Sequence, residues 1–144
     1  MTNPKIVVGV DGSPGSLCAL RVALEEARLH QAPLHVVTAW QLSWPEIAAE
    51  TPTVLKKVEG HAAEILETAL TSVDRGRAAG VDVSGELVNG PAASALLVAA
   101  RDATLLVVGT RGVGGVTGTL LGSVAHAAVH HARCPVLVVP AADT

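Results

Sequence analysis

Residues 109 to 123 read GTRGVGGVTGTLLGS, and six of the fifteen are glycine: Gly109, Gly112, Gly114, Gly115, Gly118 and Gly122. Glycine loses more backbone entropy on folding than any other residue, so such a density needs a reason. Consecutive amides without side chains can form a concave nest that receives an anion. The helical pattern that begins near Leu121 adds free N–H groups and the positive end of a dipole. Ser123 contributes a hydroxyl, and Arg111 a permanent positive charge whose fork geometry suits phosphate. Together these residue types make a phosphate cradle. The competing reading is a plain surface loop, which glycine clusters often mark. The position of the segment, after a buried strand and before a helix, argues for the cradle.

The elements that must position this segment are legible along the chain. Lys5 to Asp11 (KIVVGVD) is a short apolar strand that empties into the turn pair Asp11-Gly12. Ser13-Pro14 then gives a helix start, with a capping hydroxyl followed by a proline whose missing N–H costs nothing. Leu20, Ala23, Leu24 and Ala27 recur at helical spacing as far as His30, and a second strand runs from Leu34 to Trp40. Gln41 to about Thr53 reads as a loop with one helical turn. Leu55, Val58, Ala62, Ile65, Leu66, Ala69, Leu70 and Val73 form the apolar stripe of the clearest helix. Val81 to Val88 alternates like a strand near a sheet edge. Asn89-Gly90-Pro91 turns into a short helix ending near Arg101, and Thr104 to Val108 is the apolar strand that opens into the glycine-rich segment. A helix from about Leu121 to His131 leads to a last strand, Val136 to Val139, fenced by Pro135 and Pro140.

Strands alternating with helices imply a parallel sheet covered on both faces. The expected fold is therefore α/β: a five-stranded, doubly wound, Rossmann- or flavodoxin-like parallel sheet of order 3-2-1-4-5, in one domain spanning 1–144. Ligands of such sheets bind beyond the carboxyl ends of the strands, where the strand order reverses. That switch point falls between strands 1 and 4, which end at Asp11 and Gly109. The composition agrees. Of 144 residues 49% are hydrophobic, yet there is no Phe or Tyr and Trp40 and Trp44 are the two tryptophans, so the core must be built from Val, Leu, Ile and Ala. A chain of this size buries roughly 68–70% of its unfolded surface.

Familiar phosphate loops do not match. A P-loop needs a lysine before Ser or Thr, and no lysine follows Lys57. The dinucleotide fingerprint G-x-G-x-x-G fails at Thr117, and it belongs after strand 1, where DGSPGS stands. A phosphoacceptor receiver domain needs paired acids after strand 1, and Asp11 is the one acid in place there. What does match is the spacing G-x2-G-x9-G-[ST], carried by Gly109, Gly112 and Gly122-Ser123. With the opening KIVVGVDGS, the Gly90-Pro91 turn, LLVVGTRG, LLGSVAHAAVHHA and the closing CPVLVVP, the chain resembles the ATP-binding branch of the universal stress protein family along its whole length.

That resemblance implies a role for each matching position. Val10 and Asp11 would line the nucleoside pocket, with Asp11 near the ribose or a bound metal such as Mg²⁺. Ala39 would offer its backbone to the adenine ring, and Val108 and Gly109 would form the floor. Gly112, Gly122, Ser123 and Val124 would hold the phosphates, with Thr110 and Arg111 as helpers. It also implies a homodimer through the last strand, Val136, Leu137, Val138 and Val139, since a bare apolar edge is normally covered. The function so implied is a nucleotide-binding regulator of stress responses, with ATP as cofactor. A sensor of AMP or cyclic AMP is a competing function, because sequence cannot count phosphates; a slow ATP hydrolase is another, against which Asp11 lacks a paired acid.

Other features carry less. A formal charge of −3 and ten scattered Lys and Arg residues argue against nucleic-acid binding. Cys18 and Cys134 read as buried free thiols of a reducing compartment. The opening Met-Thr-Asn-Pro-Lys lacks a secretory pattern, and no apolar run is long enough to span a membrane, so the expected location is cytoplasmic. His126 and His130 stand four apart on one helix, with His131 next to them, and read as solvated. His35 and His61 show no partner. Trp40 and Trp44 could flank a base or cover the sheet end.

Overall fold

The computed structural model describes residues 3–49, 51–73, 78–111 and 121–141. Its elements, in chain order, are β1 (Ile6–Gly9), α1 (Pro14–His30), β2 (Leu34–Trp40), α2 (Trp44–Ala49), α3 (Pro52–Ser72), β3 (Val83–Asn89), α4 (Ala92–Ala99), β4 (Leu105–Gly109), α5 (Ser123–His131) and β5 (Val136–Val139). The five strands make one parallel sheet, as the alternating pattern requires, and its order is the expected β3-β2-β1-β4-β5.

The period-2 pattern of each strand divides the core in two. Ile6 and Val8 of β1, Leu34 and Val36 of β2, Val107 of β4 and Val139 of β5 face one side. There they meet Ala19, Leu20, Ala23, Leu24 and Ala27 of α1 and Ala69 of α3. Val7, Val37, Leu106 and Val108 face the other side, against Ala95 and Leu96 of α4 and Ala125 and Ala128 of α5. Helices α1 and α3 thus cover one face, α4 and α5 the other. The chain steps outward from β1 through β2 to β3, then returns to the far side of β1 with β4 and β5. The register Ile6↔Leu105, Val7↔Leu106 and Val8↔Val107 sets the ends of β1 and β4 side by side at this reversal.

The helical turn expected within the 41–53 loop is the short helix α2. The Ser43 N–H donates to Glu46 Oε1 at 2.7 Å, half of a capping box. Thr51 caps α3 by accepting from the Val54 N–H, with Pro52 as its first residue, so α3 begins a turn before the apolar stripe. Leu55, the first of that stripe, is 41% exposed, while Ala62 and Ala69 are buried. Strand β1 ends at Gly9, which leaves Val10 and Asp11 beyond it, and α5 starts at Ser123. Cys18 and Cys134 are free and half-buried rather than buried, and they pack on opposite sheet faces. His35, expected to stand alone, meets Ser84 Oγ and Glu86 Oε1 at 2.9 Å each across the β2–β3 pair. Among the described residues no helix is long and apolar enough to cross a membrane.

Candidate functional site

Two helices begin at the reversal point, and their first turns differ. At α1, Ser13 is the N-cap. Its Oγ accepts from the Ser16 N–H at 3.2 Å and donates to Asp11 Oδ1 at 2.6 Å, and Oδ1 also accepts the Ser13 N–H at 3.0 Å. The Ser16 Oγ donates to the Ser13 carbonyl at 2.9 Å and accepts the Asp11 N–H at 3.3 Å. Asp11 therefore closes an Asx turn, with Gly12 at φ 86° supplying the left-handed residue the turn needs. Ser13 and Ser16 are buried, yet every hydroxyl has a partner. This helix start is closed upon itself.

At α5 the N-cap is Gly122, which has no side chain to offer, and no side-chain cap hydrogen bond is made. Its own N–H donates to the Thr110 carbonyl at 2.6 Å, while the Thr110 N–H donates to the Val139 carbonyl at 3.0 Å. The backbone of Thr110 thus ties β4, β5 and the start of α5 into one corner. The amides of Ser123, Val124 and Ala125 form the first turn, where a helix has no acceptors of its own. They lie at the positive end of the dipole, and Ser123 and Arg111, which follows Thr110 in the chain, are exposed. Such an end can take an anion.

The first turn of α1 is held close to the end of β4 by a pair of glycines. A Cβ on Gly109 would lie 3.0 Å from the carbonyl carbon and oxygen of Gly15, and one on Gly15 would lie 3.0 Å from the Arg111 carbonyl oxygen. Packing of α1 on β4 is thus itself a reason for glycine at 109. On the other side of the Asp11–Gly12 turn, α3 leaves a cleft of about 260 Å³ lined by Val10, Gly12, His61, Glu64, Ile65 and Thr68, among others. Thr38, 1% exposed, donates from Oγ1 to the Val10 carbonyl at 2.8 Å, and the Val10 N–H donates to the Val37 carbonyl at 2.9 Å. These bonds hold the segment beyond β1 in line.

Of the residues singled out from the sequence, Val10 and Val108 are buried at 3% exposure beneath the strand ends, and Asp11 and Arg111 are exposed above them. Gly109, Thr110, Gly122 and Val124 are half-buried and Ser123 is exposed, all at the β4–α5 corner. Ala39 sits at the end of β2, paired with Val88. Gly112, with Gly114, Gly115 and Gly118, lies outside the described residues. Trp44 is 77% exposed and covers no sheet end, whereas Trp40 is half-buried. Sequence reasoning missed Gly15, Ser16 and Thr38. The S-x-x-S spacing of Ser13 and Ser16 was an available signal for the first turn of α1, but nothing local marks Thr38.

The model of the universal stress protein family matches residues 2–140. The chain belongs to the universal stress protein family. Curated relatives agree: a universal stress protein of Mycobacterium tuberculosis is 35% identical over 144 residues, covering 96% of this chain and 48% of its own. One from Mycolicibacterium smegmatis is 38% identical over 143 residues, again 96% and 48%. The chain spans about half the length of these curated relatives. Among solved structures, a universal stress protein in complex with cAMP is 29% identical, with a TM-score of 0.63 over 99% of this chain and 100% of that one. The universal stress protein from Archaeoglobus fulgidus in complex with dAMP is 26% identical, with a TM-score of 0.70 over 96% and 99%. UspA from Lactobacillus plantarum, at 22% identity, a TM-score of 0.80 and coverage of 96% and 99%, shares the fold.

Proposed function

We propose that this universal stress protein binds an adenine nucleotide across the ends of β1 and β4, with ATP as its ligand, and acts as a regulator whose bound state alters its dealings with partners. The observation that carries the reading is the N-terminus of α5, whose N-cap is Gly122 and which is held against the end of β4 by the Gly122–Thr110 hydrogen bond. Its support from outside the chain is that two relatives of the same family were solved with cAMP and with dAMP. In this reading Gly112, Gly122, Ser123 and Val124 hold phosphate, Thr110 and Arg111 assist, Val108 and Gly109 form the floor, Val10 and Asp11 border the ribose, and the Ala39 backbone meets the base. A triphosphate brings Mg²⁺ with it, and the Asp11 carboxylate is the oxygen ligand that the end of β1 offers.

A second reading, a sensor of AMP or cyclic AMP, is favoured by the monophosphates in those two complexes. Thermal unfolding of nucleotide-stripped protein against ATP, ADP, AMP, cyclic AMP and GTP, with and without Mg²⁺, separates the two. Ligand at 100 times its Kd stabilises by about 2.7 kcal/mol, a midpoint rise of roughly 5–10 °C for a domain of this size. A rise greatest with ATP and abolished by Gly122→Val supports the first reading; a greater rise with cyclic AMP or AMP supports the second. No rise with any nucleotide overturns both. Phosphate release above that of a Ser123→Ala, Gly122→Val control would make the protein a hydrolase instead.

The proposal extends to a homodimer through β5. The two sheet edges differ in character: β3 carries Ser84, Glu86 and Asn89, whereas β5 is Val136, Leu137, Val138 and Val139, with the first three only half-buried. An apolar edge of this kind templates pairing with another strand. Sedimentation at micromolar concentration is expected to show twice the 14.6 kDa chain mass, and Val138→Lys to halve it. A lone 14.6 kDa species in the unaltered chain refutes the dimer.

A further inference from the structure

Three of the six histidines, His126, His130 and His131, fall on the nine-residue helix α5. Residues four apart on a helix stand one above the other, whereas adjacent residues diverge. Accordingly, the His126 and His130 rings approach to 4.4 Å between centroids at a 42° tilt, while His130 and His131 lie 6.3 Å apart. All three residues are exposed, and Ala125 and Ala128 carry the buried side of the helix.

We propose that His126 and His130 form a two-point site for a transition-metal cation that prefers imidazole, such as Zn²⁺ or Ni²⁺, with water completing its coordination. Neutral imidazole suits Zn, Cu and Ni, whereas Mg²⁺ keeps to oxygen ligands, so this site is separate from any metal that accompanies a nucleotide. A Zn–N bond is about 2.0–2.1 Å long, which places two nitrogens on one ion roughly 3 Å apart. Ring centroids 4.4 Å apart are compatible with that spacing. The histidine–carboxylate pairs among the described residues are His30 with Glu26 and His35 with Glu86, so neither ring of α5 is engaged in such a pair. No group of three metal-ligating side chains is assembled among the described residues, which makes the site a two-point clamp rather than a closed structural one. An ion bridging one helical turn also stabilises that turn, so binding has a structural readout.

The test is calorimetric titration of the untagged full chain with Zn²⁺ and, separately, Ni²⁺. The unaltered protein is expected to bind one equivalent. His126→Ala and His130→Ala are each expected to weaken it at least tenfold, equivalent to 1.4 kcal/mol at 25 °C, and His131→Ala to leave it unchanged. Zn²⁺ should raise the thermal midpoint of the unaltered chain but not of the double variant. Circular dichroism reports whether each variant is folded. Where alanine disturbs folding, the helix-compatible His126→Gln and His130→Gln substitutions repeat the comparison. The proposal is overturned if His131→Ala costs as much as either of the others, or if the His126 and His130 variants retain full affinity.

Discussion

Gly109→Ala adds a single methyl group at the junction of β4 and α1, and the structure says what that methyl meets. Its Cβ would stand 3.0 Å from both the carbonyl carbon and oxygen of Gly15 and 3.4 Å from the Ser16 nitrogen. Comfortable contact between heavy atoms needs about 3.5–4.0 Å, so the first turn of α1 must retreat by roughly 0.5 Å. All three obstacles are backbone, and no rotamer can relieve them. The turn itself is pinned by the Asp11, Ser13 and Ser16 hydrogen bonds. Overpacking of this kind costs about 1–3 kcal/mol, against which the stiffer unfolded chain returns about 0.4–1 kcal/mol. The net expectation is a loss of about 1–2 kcal/mol, or roughly 3–8 °C in midpoint. Gly60→Ala is the matched control. It lies inside α3, where an added Cβ has nothing within 4 Å, so helix propensity alone applies and predicts a gain of about 0.8–1 kcal/mol. The same chemical change is therefore expected to lower stability at one site and raise it at the other. Differential scanning calorimetry without nucleotide, supported by urea titration, measures both. Gly15→Ala should also destabilise, and less than additively with Gly109→Ala, because one displacement of α1 relieves both contacts. An unaltered or raised midpoint for Gly109→Ala would refute the close-packing argument.

Three further outcomes follow from the hydrogen bonds. Thr38→Val keeps the shape of a buried side chain but removes the donor to the Val10 carbonyl; urea denaturation should show a loss of about 1–3 kcal/mol, and adenine-nucleotide affinity should fall because Val10 and Asp11 lose their anchor. Ser13→Ala removes the α1 cap and the hydroxyl on Asp11, and should cost about 0.5–2 kcal/mol by the same assay. The third concerns pH. The hydrogen bond from the Ser43 backbone N–H holds the exposed Glu46 carboxyl below its ordinary value of 4.5. A depressed carboxyl stabilises the folded form at pH above that ordinary value, and the contribution is lost as pH falls through the depressed one. Hydrogen exchange should therefore show the Ser43 amide losing protection in acid, after correction for the intrinsic rate, and Glu46→Gln should flatten that dependence.

The strands and their parallel pairing were legible because hydrophobic period and chain alternation are local properties that a parallel sheet must satisfy, whereas the order 3-2-1-4-5 and its reversal came with the fold that the motif blocks resemble. The glycine spacing from Gly109 to Gly122-Ser123 was legible for the same reason: it is a pattern along the chain. The starts of α2 and α3 carried signals as well, in the Ser43–Glu46 capping pair and in Thr51-Pro52, but these residues stand outside any apolar stripe, so hydrophobic period alone does not place the two starts.

Other features depend on residues far apart in sequence. Gly15 and Gly109 face each other because α1 and β4 cross, and no local rule joins positions so distant. Thr38 reads as one more β-branched strand residue until β1 is laid beside β2 and the Val10 carbonyl comes within 2.8 Å. His35 gains its Ser84 and Glu86 partners from strand register alone. The contrast between the self-closed start of α1 and the start of α5 follows from hydroxyls folded back on one turn and a glycine standing at the other. The chain's own pattern determined which elements form and which segment is chemically unusual. Packing then selected which polar groups satisfy one another, because those pairings depend on distances in space that sequence separation does not encode.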